Sequence, residues 1–230
     1  MAPTGPRPRR AATGCLNPGA RRRIIAGVLT LDDIVIEPPA EGQIVDPQAW
    51  FASPGPFELE IGCGKGRFLL CRARSRPDVR LLGIEWASKF YRYAADRIRR
   101  WGVTNVRIMR TDAAVFVRRH LPAGCLSALH VYHPDPWPKK RHHKRRLIQA
   151  PFVEAALRAT APGGRWLLQT DHAEYFERMR ELLDAQAGLR EVPFDDPTFG
   201  PGEDWAGTNF EVKYAQEGRT IYRVAYARLP

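Results

Sequence analysis

The residues best suited to chemistry are a glycine-rich turn and two acidic side chains. Gly62, Gly64 and Gly66 follow the apolar segment PFELEI and precede the helical run RFLLCRAR. Glycines let the backbone approach a bulky ligand, and the first turn of a helix offers unpaired N–H groups, although a tight strand-to-helix turn alone would also use them. Glu85 and Asp112 end later apolar segments. Carboxylates placed there can accept hydrogen bonds from the ribose hydroxyls and the adenine amino group of an adenosine ligand.

Two further residues narrow the choice of ligand. The last two glycines are separated only by Lys65, a spacing that disfavours a dinucleotide. The Lys65 side chain either meets a phosphate or points to solvent. Glu60 lies inside the strand before the glycines, where a carboxylate is costly unless it is paired. Leu59 and Ile61 occupy the other strand face, so we expect Glu60 to meet the cationic amino-acid end of S-adenosylmethionine instead of facing outward.

A second distinctive passage, PDPWPKKRHHKRR, follows the segment LSALHVYH. Its two leading prolines end strand pairing and force an open loop. The stretch Lys139–Arg146, called the basic run below, contains only lysine, arginine and histidine. Such a run is either a solvated face or a phosphate contact, and its position beside the expected ligand favours phosphate. Trp137 either stacks on a base or packs in the core.

The overall charge agrees with a nucleic-acid partner. The chain of 230 residues carries 36 Lys+Arg against 25 Asp+Glu, a formal net charge of +11. No metal site is predicted: on a strand His130 and His133 point to opposite faces, and His142 and His143 lie among cations that would oppose a divalent ion.

Cysteine usage and the termini predict a cytoplasmic protein. The four cysteines show no C-x-x-C pairing and are too few for a disulfide scaffold. No secretion signal and no run of some twenty apolar residues is present. Residues 1–23 read as a flexible basic arm, either a solvated tail or an RNA contact, and residues 24–230 as a single domain.

Strands that alternate with helices predict an α/β fold whose mainly parallel sheet carries helices on both faces. Its ligands should lie beyond the carboxyl ends of the strands. Ser88 is a plausible N-cap of a helix that Gly102 can end. Residues 191–207, rich in Pro, Gly and acid, read as a mobile loop, and TIYRVAYAR as a strand that could close the sheet edge.

The chain strongly resembles the bacterial tRNA (guanine-N7)-methyltransferase family. The resemblance runs from ELEIGCGKGRF through GIE, TDA, PDPWPKKRHHKRR, GGRWLLQTDHAEYF and TNFE, and so covers most of the chain from Phe57 to Glu211. It implies a class I methyltransferase (Rossmann-like) fold with a seven-stranded, mainly parallel sheet. It also implies S-adenosylmethionine as methyl donor and the variable-loop guanine of tRNA as acceptor.

The family's residue roles carry over by matching position. The resemblance implies that Asp135 is the catalytic residue and also a cofactor contact. The other cofactor contacts would be Glu60, Glu85 and Asp112, beside the glycines Gly62, Gly64 and Gly66. Substrate contacts would be Lys139, Asp171, Thr208, Asn209, Phe210 and Glu211. RNA contacts would be Arg141, His142, His143, Lys144, Arg145 and Arg146.

The chain departs from the family pattern at two positions. His133 stands where an aromatic residue is expected before Pro134, and Trp205 stands where a basic residue is expected before T-x-F-E. The second change puts the guanine or phosphate contacts in doubt but leaves the cofactor acids intact. Two alternatives stay open: a methyltransferase of another RNA base, and an RNA-binding relative that has lost catalysis. A monomer is favoured, without a sequence signal that decides it.

Overall fold

Parallel strand pairing dominates the architecture. The computed structural model describes residues 29–196, 198–200 and 217–230. One sheet has the order β1-β4-β3-β2-β5-β6-β8-β7, in which β8 runs antiparallel to both of its neighbours and all other pairs are parallel. The strands are β1 (Val35–Ile36), β2 (Phe57–Ile61), β3 (Arg80–Ile84), β4 (Val106–Met109), β5 (Leu126–Tyr132), β6 (Thr160–Thr170), β7 (Leu189–Val192) and β8 (Tyr222–Arg228).

Helices alternate with these strands as predicted. They are α1 (Arg67–Ser75), α2 (Ser88–Trp101), α3 (Ala113–Arg119), α4 (Ala150–Ala159) and α5 (Ala173–Asp184), with short 3-10 helices at Pro47–Trp50 and Lys140–Arg145. Gly102 ends α2 in the left-handed conformation, at φ 63°, as expected. Ser88 is the first residue of α2 and not its N-cap: Ala87 takes that position and offers no side-chain cap.

Two apolar layers cover the two faces of the sheet. On one face Phe57, Leu59 and Ile61 pack with residues of α3, α4 and α5. On the other, α1 and α2 pack through Leu69, Leu70, Ala94 and Ile98. Alternation along β2 therefore turns Glu58 and Glu60 toward α1, within a strand that is buried throughout. The predicted α/β fold with helices on both faces is confirmed.

Three details of the predicted sheet are wrong. The sheet has eight strands, not seven, because Val35–Ile36 pairs with the edge of β4 that faces away from β3. Glu191 and Val192, expected in a loop, belong to β7, whose ladder to Tyr226 and Ala225 supplies the backbone hydrogen bonds. The strand β8 consequently lies inside the sheet, and β7 forms the edge.

Residues 1–23, predicted to be a basic arm, lie outside the described residues, as do residues 201–207 of the predicted loop. Within the described ranges, no helix has the length and hydropathy needed to cross a membrane.

Candidate active site at the carboxyl edge of the sheet

The candidate site lies where the strand order reverses. The parallel strands β3 and β5 flank β2, so the segments that follow these three strands leave the same edge of the sheet. This edge is the ligand-binding position in open α/β sheets. The glycine turn follows β2, Glu85 follows β3, Asp112 follows β4 with two residues between, and Asp135 lies in the loop after β5.

The glycine turn has the geometry of a ligand cradle. Gly62, Gly64 and Gly66 all have positive φ, at 74°, 54° and 68°, which side chains with a Cβ rarely adopt. A Cβ on Gly62 would meet no atom within 4 Å, so the turn faces open space. A Cβ on Gly66 would lie 3.2 Å from the Ala94 Cβ, so this glycine also permits close packing of α1 on α2.

Glu60 is a buried carboxyl group beside this turn. The residue is 4% exposed, and its Oε2 atom has no hydrogen-bond partner among the described residues. Burial, reinforced by the negative charge of Glu85, raises the pKa of Glu60 to about 8, although a hydrogen bond from the Leu69 backbone opposes the shift. An unpaired buried carboxyl group fits a cationic ligand group, such as the ammonium of S-adenosylmethionine.

The other two acids hold the backbone at the mouth of the site. Glu85 Oε2 accepts from the Gly64 backbone N–H at 2.9 Å, and Oε1 accepts from that of Ala87 at 2.7 Å. Asp112 caps α3, its Oδ1 accepting from the Val115 backbone N–H at 3.0 Å. Both carboxylates stay solvent-accessible, so each keeps lone pairs for hydroxyl or amino donors.

The loop that carries Asp135 is fixed at both ends. His133 and Trp137 have positive φ, 52° and 43°, which costs a non-glycine residue about 1–3 kcal/mol. The His133 backbone N–H donates to the Gln169 carbonyl at 2.8 Å, and Arg146 Nε donates to the Pro136 carbonyl at 2.8 Å. Between these anchors Asp135 is exposed and, within the described ranges, makes no hydrogen bond or ion pair.

Most of the basic run is presented to solvent. Lys139 precedes the 3-10 helix Lys140–Arg145. Five cations of the basic run are exposed, while His142 and His143 are half-buried. The exposed cations are Lys139, Lys140, Arg141, Lys144 and Arg145. Trp137 is not a core residue: the Arg145 guanidinium lies 5.0 Å from its ring centroid, and His142 meets it edge-on at 5.8 Å.

Arg146 departs from its predicted role as an RNA contact. Its side chain is only 2% exposed, and the guanidinium binds both carboxylate oxygens of Glu174 at 3.0 and 2.5 Å. It also lies 4.7 Å from the Tyr175 ring centroid. Together with its bond to Pro136, these contacts make Arg146 the anchor of the loop, because its donors are used inside the protein.

The predicted substrate contacts are only partly described. Asp171 Oδ2 accepts from Arg219 Nη1 at 2.9 Å, and its Oδ1 lies 3.7 Å from His133 Nδ1, which places Asp171 beside the Asp135 loop. Thr208, Asn209, Phe210 and Glu211, together with the departure at Trp205, lie outside the described residues. In the described part of the chain no group of three or more His, Cys, Asp or Glu side chains could hold a metal ion.

A buried polar network behind the site was not predicted. Arg72 donates to both oxygens of Glu58, at 2.9 and 2.5 Å, and His130 Nε2 lies 3.1 Å from Glu58 Oε2. Burial alone would raise the pKa of Glu58, but the bonds from His130 and Arg72 outweigh it and lower the pKa to about 2. Burial lowers the pKa of His130, and a neutral ring can also accept from the Tyr132 hydroxyl, 2.9 Å from Nδ1. The available signal was a titratable residue inside each of two apolar strands, Glu58 in β2 and His130 in β5.

Comparison with known proteins agrees with this architecture. Among solved structures, the aminoglycoside resistance methyltransferase NpmB1 aligns with a TM-score of 0.52 at 18% identity, covering 76% of this chain and 87% of that chain. TrmN from Thermus thermophilus aligns with a TM-score of 0.52 at 17% identity, covering 76% and 45%. The fold is that of the class I methyltransferases.

Sequence comparison identifies the family. Residues 54–224 match the family model described as "Putative methyltransferase". The tRNA (guanine-N(7)-)-methyltransferase of Alkalilimnicola ehrlichii is 35% identical over 230 residues, covering 99% of this chain and 95% of the relative. That of Geobacter metallireducens is 32% identical, covering 81% and 90%. The chain belongs to the tRNA (guanine-N7)-methyltransferase family.

Proposed function

We propose that the protein transfers the methyl group of S-adenosylmethionine to N7 of a guanine in tRNA, with the variable-loop guanine as acceptor. One observation carries the proposal: Glu60, with an unsatisfied buried oxygen, lies on the strand next to β5, whose carboxyl end leads into Asp135 and the basic run. A carboxyl group proposed to hold the cofactor's ammonium and a surface proposed to bind phosphates would therefore share one sheet edge. Family membership supports the same activity.

The cofactor, when bound, supplies a methyl group activated by a positively charged sulfonium. Glu60 would hold its ammonium group, and the open side of Gly62 leaves room for the chain that follows. Glu85 would accept from the ribose hydroxyls and Asp112 from the adenine amino group. Because Glu85 already positions Gly64, ribose binding and the shape of the glycine turn are coupled.

The acceptor needs orientation more than proton removal. Guanine N7 has a lone pair and no proton, so no general base is required before attack. As the purine becomes cationic, its N1–H and amino group become better donors, and a carboxylate that accepts from them stabilises the transition state more than the ground state. Asp135 suits this role because its carboxylate is exposed and its loop is anchored by Arg146.

The basic run would bind the tRNA backbone. Its exposed side chains release counterions on contact with phosphates, whereas Arg146 would act only by anchoring the loop. We expect the triple change R141A/K144A/R145A to reduce the magnitude of the slope of log Kobs against log salt by about 2–3, since each phosphate contact contributes about 0.7–0.9. Cofactor affinity should stay unchanged. An unaltered slope would mean that the basic run does not contact the RNA.

The activity is tested by incubating the protein with radiolabelled S-adenosylmethionine and unmodified tRNA, then mapping the labelled nucleoside. We expect label in 7-methylguanosine, and a fall of about 100-fold or more in turnover for Asp135→Ala. Asp32→Ala, which removes another exposed carboxylate, is the matched control and should retain activity. Label in a different nucleoside, or cofactor binding without transfer, would select one of the alternative functions.

Two further properties belong to this proposal. A tRNA-modifying enzyme suits the cytoplasm, where the free thiols of Cys63 and Cys125 would stay reduced. A monomer is also proposed, and sedimentation at assay concentration tests it.

A further inference from the structure

The first two turns of α2 carry exposed aromatic side chains. Among the described residues, Trp86, Phe90 and Tyr93 are the aromatic side chains whose exposure stands out, at 67%, 39% and 48%. Phe90 and Tyr93 are three residues apart on a helix and so share one face. Single exposed apolar residues are ordinary, but adjacent large rings on one helix face are not.

Cations lie beside the Tyr93 ring. Lys65, in the glycine turn, has its Nζ 5.9 Å from the Tyr93 ring centroid, and the Arg97 guanidinium lies 5.8 Å from the same centroid. Lys89 is exposed and precedes Tyr93 by one helical turn. We call Lys65, Lys89, Phe90 and Tyr93 the aromatic-basic ridge.

The acids nearby do not neutralise this ridge. Glu85 is half-buried and accepts from the backbone N–H groups of Gly64 and Ala87. Asp96, further along α2, pairs with Arg99 at 3.0 Å and Arg100 at 2.8 Å. The ridge therefore offers positive charge between flat apolar faces, a combination that fits nucleotides: the backbone meets the cations and the bases stack on the rings.

The ridge lies on the opposite side of the cofactor turn from the basic run. Lys65 belongs to the turn itself, and the other three residues follow β3, whereas the basic run follows β5, and β2 lies between these strands. Two strand spacings separate β3 from β5 by about 10 Å. A polynucleotide that reaches Asp135 from the basic run would meet the ridge next.

We propose that the aromatic-basic ridge is a second tRNA-contacting surface, on which unpaired tRNA bases stack against Phe90 and Tyr93 while phosphates meet Lys65 and Lys89. The inference rests on the proposed function. Unpaired nucleotides are the fitting part of tRNA because bases inside an A-form helix expose no face for stacking. Exposed lysines in place of an apolar centre argue against a protein partner, since lysine is depleted at such interfaces.

The test compares tRNA affinity of the double variant F90A/Y93A with that of L31A/I44A, which removes exposed apolar side chains elsewhere. We expect F90A/Y93A to bind tRNA about tenfold or more weakly, as the loss of even one stacked base would give, and L31A/I44A to bind normally. Tyr93→Phe should bind like the wild type, because it keeps the ring. Chemical probing should show unpaired nucleotides that the wild type protects and F90A/Y93A leaves reactive.

Three outcomes would overturn the proposal that the ridge contacts tRNA. They are unchanged tRNA affinity in F90A/Y93A, an equal loss in L31A/I44A, and a loss in Tyr93→Phe as large as in the double variant. Cofactor affinity, measured alongside, should be unchanged in F90A/Y93A, and a fall there would assign the rings to cofactor binding instead. Failure of the proposed function is distinguishable, because the wild type would then not methylate tRNA at all.

Discussion

Cofactor binding should release a proton from Glu60. The pKa of this buried carboxyl group is about 8 in the cofactor-free protein, so about 0.9 of the molecules carry the proton at pH 7. An ammonium partner favours the ionised form, so binding must remove that proton. Linkage then predicts affinity that rises about ninefold between pH 6 and pH 7.

Isothermal titration with S-adenosylhomocysteine, which retains the ammonium group, measures this release when it is repeated in buffers of different ionisation enthalpy. We expect about 0.9 proton released at pH 7 by the wild type and close to none by Glu60→Gln, which should also bind more weakly. Glu154→Gln, an exposed change on α4, is the matched control and should release as the wild type does. Equal affinity of Glu60→Gln and wild type, without proton release in either, would refute the assignment.

The same carboxyl group should destabilise the cofactor-free fold in alkaline solution. Its folded pKa lies above the ordinary value of 4.5 for a glutamate, so its favourable contribution is complete below about pH 4.5 and is lost as the pH rises toward 8. Glu60→Gln should therefore unfold in urea at higher concentration than the wild type at pH 8. The gain has an upper bound of about 4 kcal/mol, and a less stable variant would contradict the reasoning.

Three further changes test the scaffold by urea denaturation. Glu58→Gln should cost about 3–5 kcal/mol because it leaves Arg72 buried and unpaired. It should also flatten the acid-side loss of stability, since the lowered pKa of Glu58 makes that contribution disappear as the pH falls from about 4.5 to about 2. Arg146→Ala should cost about 1–3 kcal/mol, discounted because Glu174 is half-exposed, and should reduce turnover more than cofactor affinity. Asp112→Ala should cost about 1 kcal/mol as a lost helix cap. For each variant, a change in the free energy of unfolding that lies within experimental error would contradict the role assigned to that residue.

Local patterns were sufficient for the parts of the fold that depend on the nearest neighbours in sequence. The glycine turn and the end of α2 at Gly102 follow from turn and capping chemistry. Because the strands are parallel, the sequence alone predicts that Glu85, Asp112 and Asp135 lie at one edge of the sheet. Their roles stay predictions, because position alone does not fix chemistry.

Long-range pairing accounts for what the sequence did not reveal. Val35–Ile36 and Leu189–Val192 are short, and each is a strand only because a longer neighbour supplies its ladder. Arg146 reads as one more cation in a basic run, and only the approach of Glu174 from α5 shows it to be buried. Partners this distant leave no periodic signal near the residue itself.

The Glu58 network also bears on how the sheet chooses its register. Strands β2 and β5 are rich in apolar residues, and apolar runs alone tolerate more than one alignment. A slip of one residue would turn His130 toward the apolar layer of Phe57 and Leu59 and leave the Glu58 carboxylate with Arg72 only. The penalty for a buried imidazole without its partner, and for a lost hydrogen bond to the carboxylate, falls on misaligned chains alone. Folding to the wrong register at this central strand pair is thus disfavoured before either ligand is present.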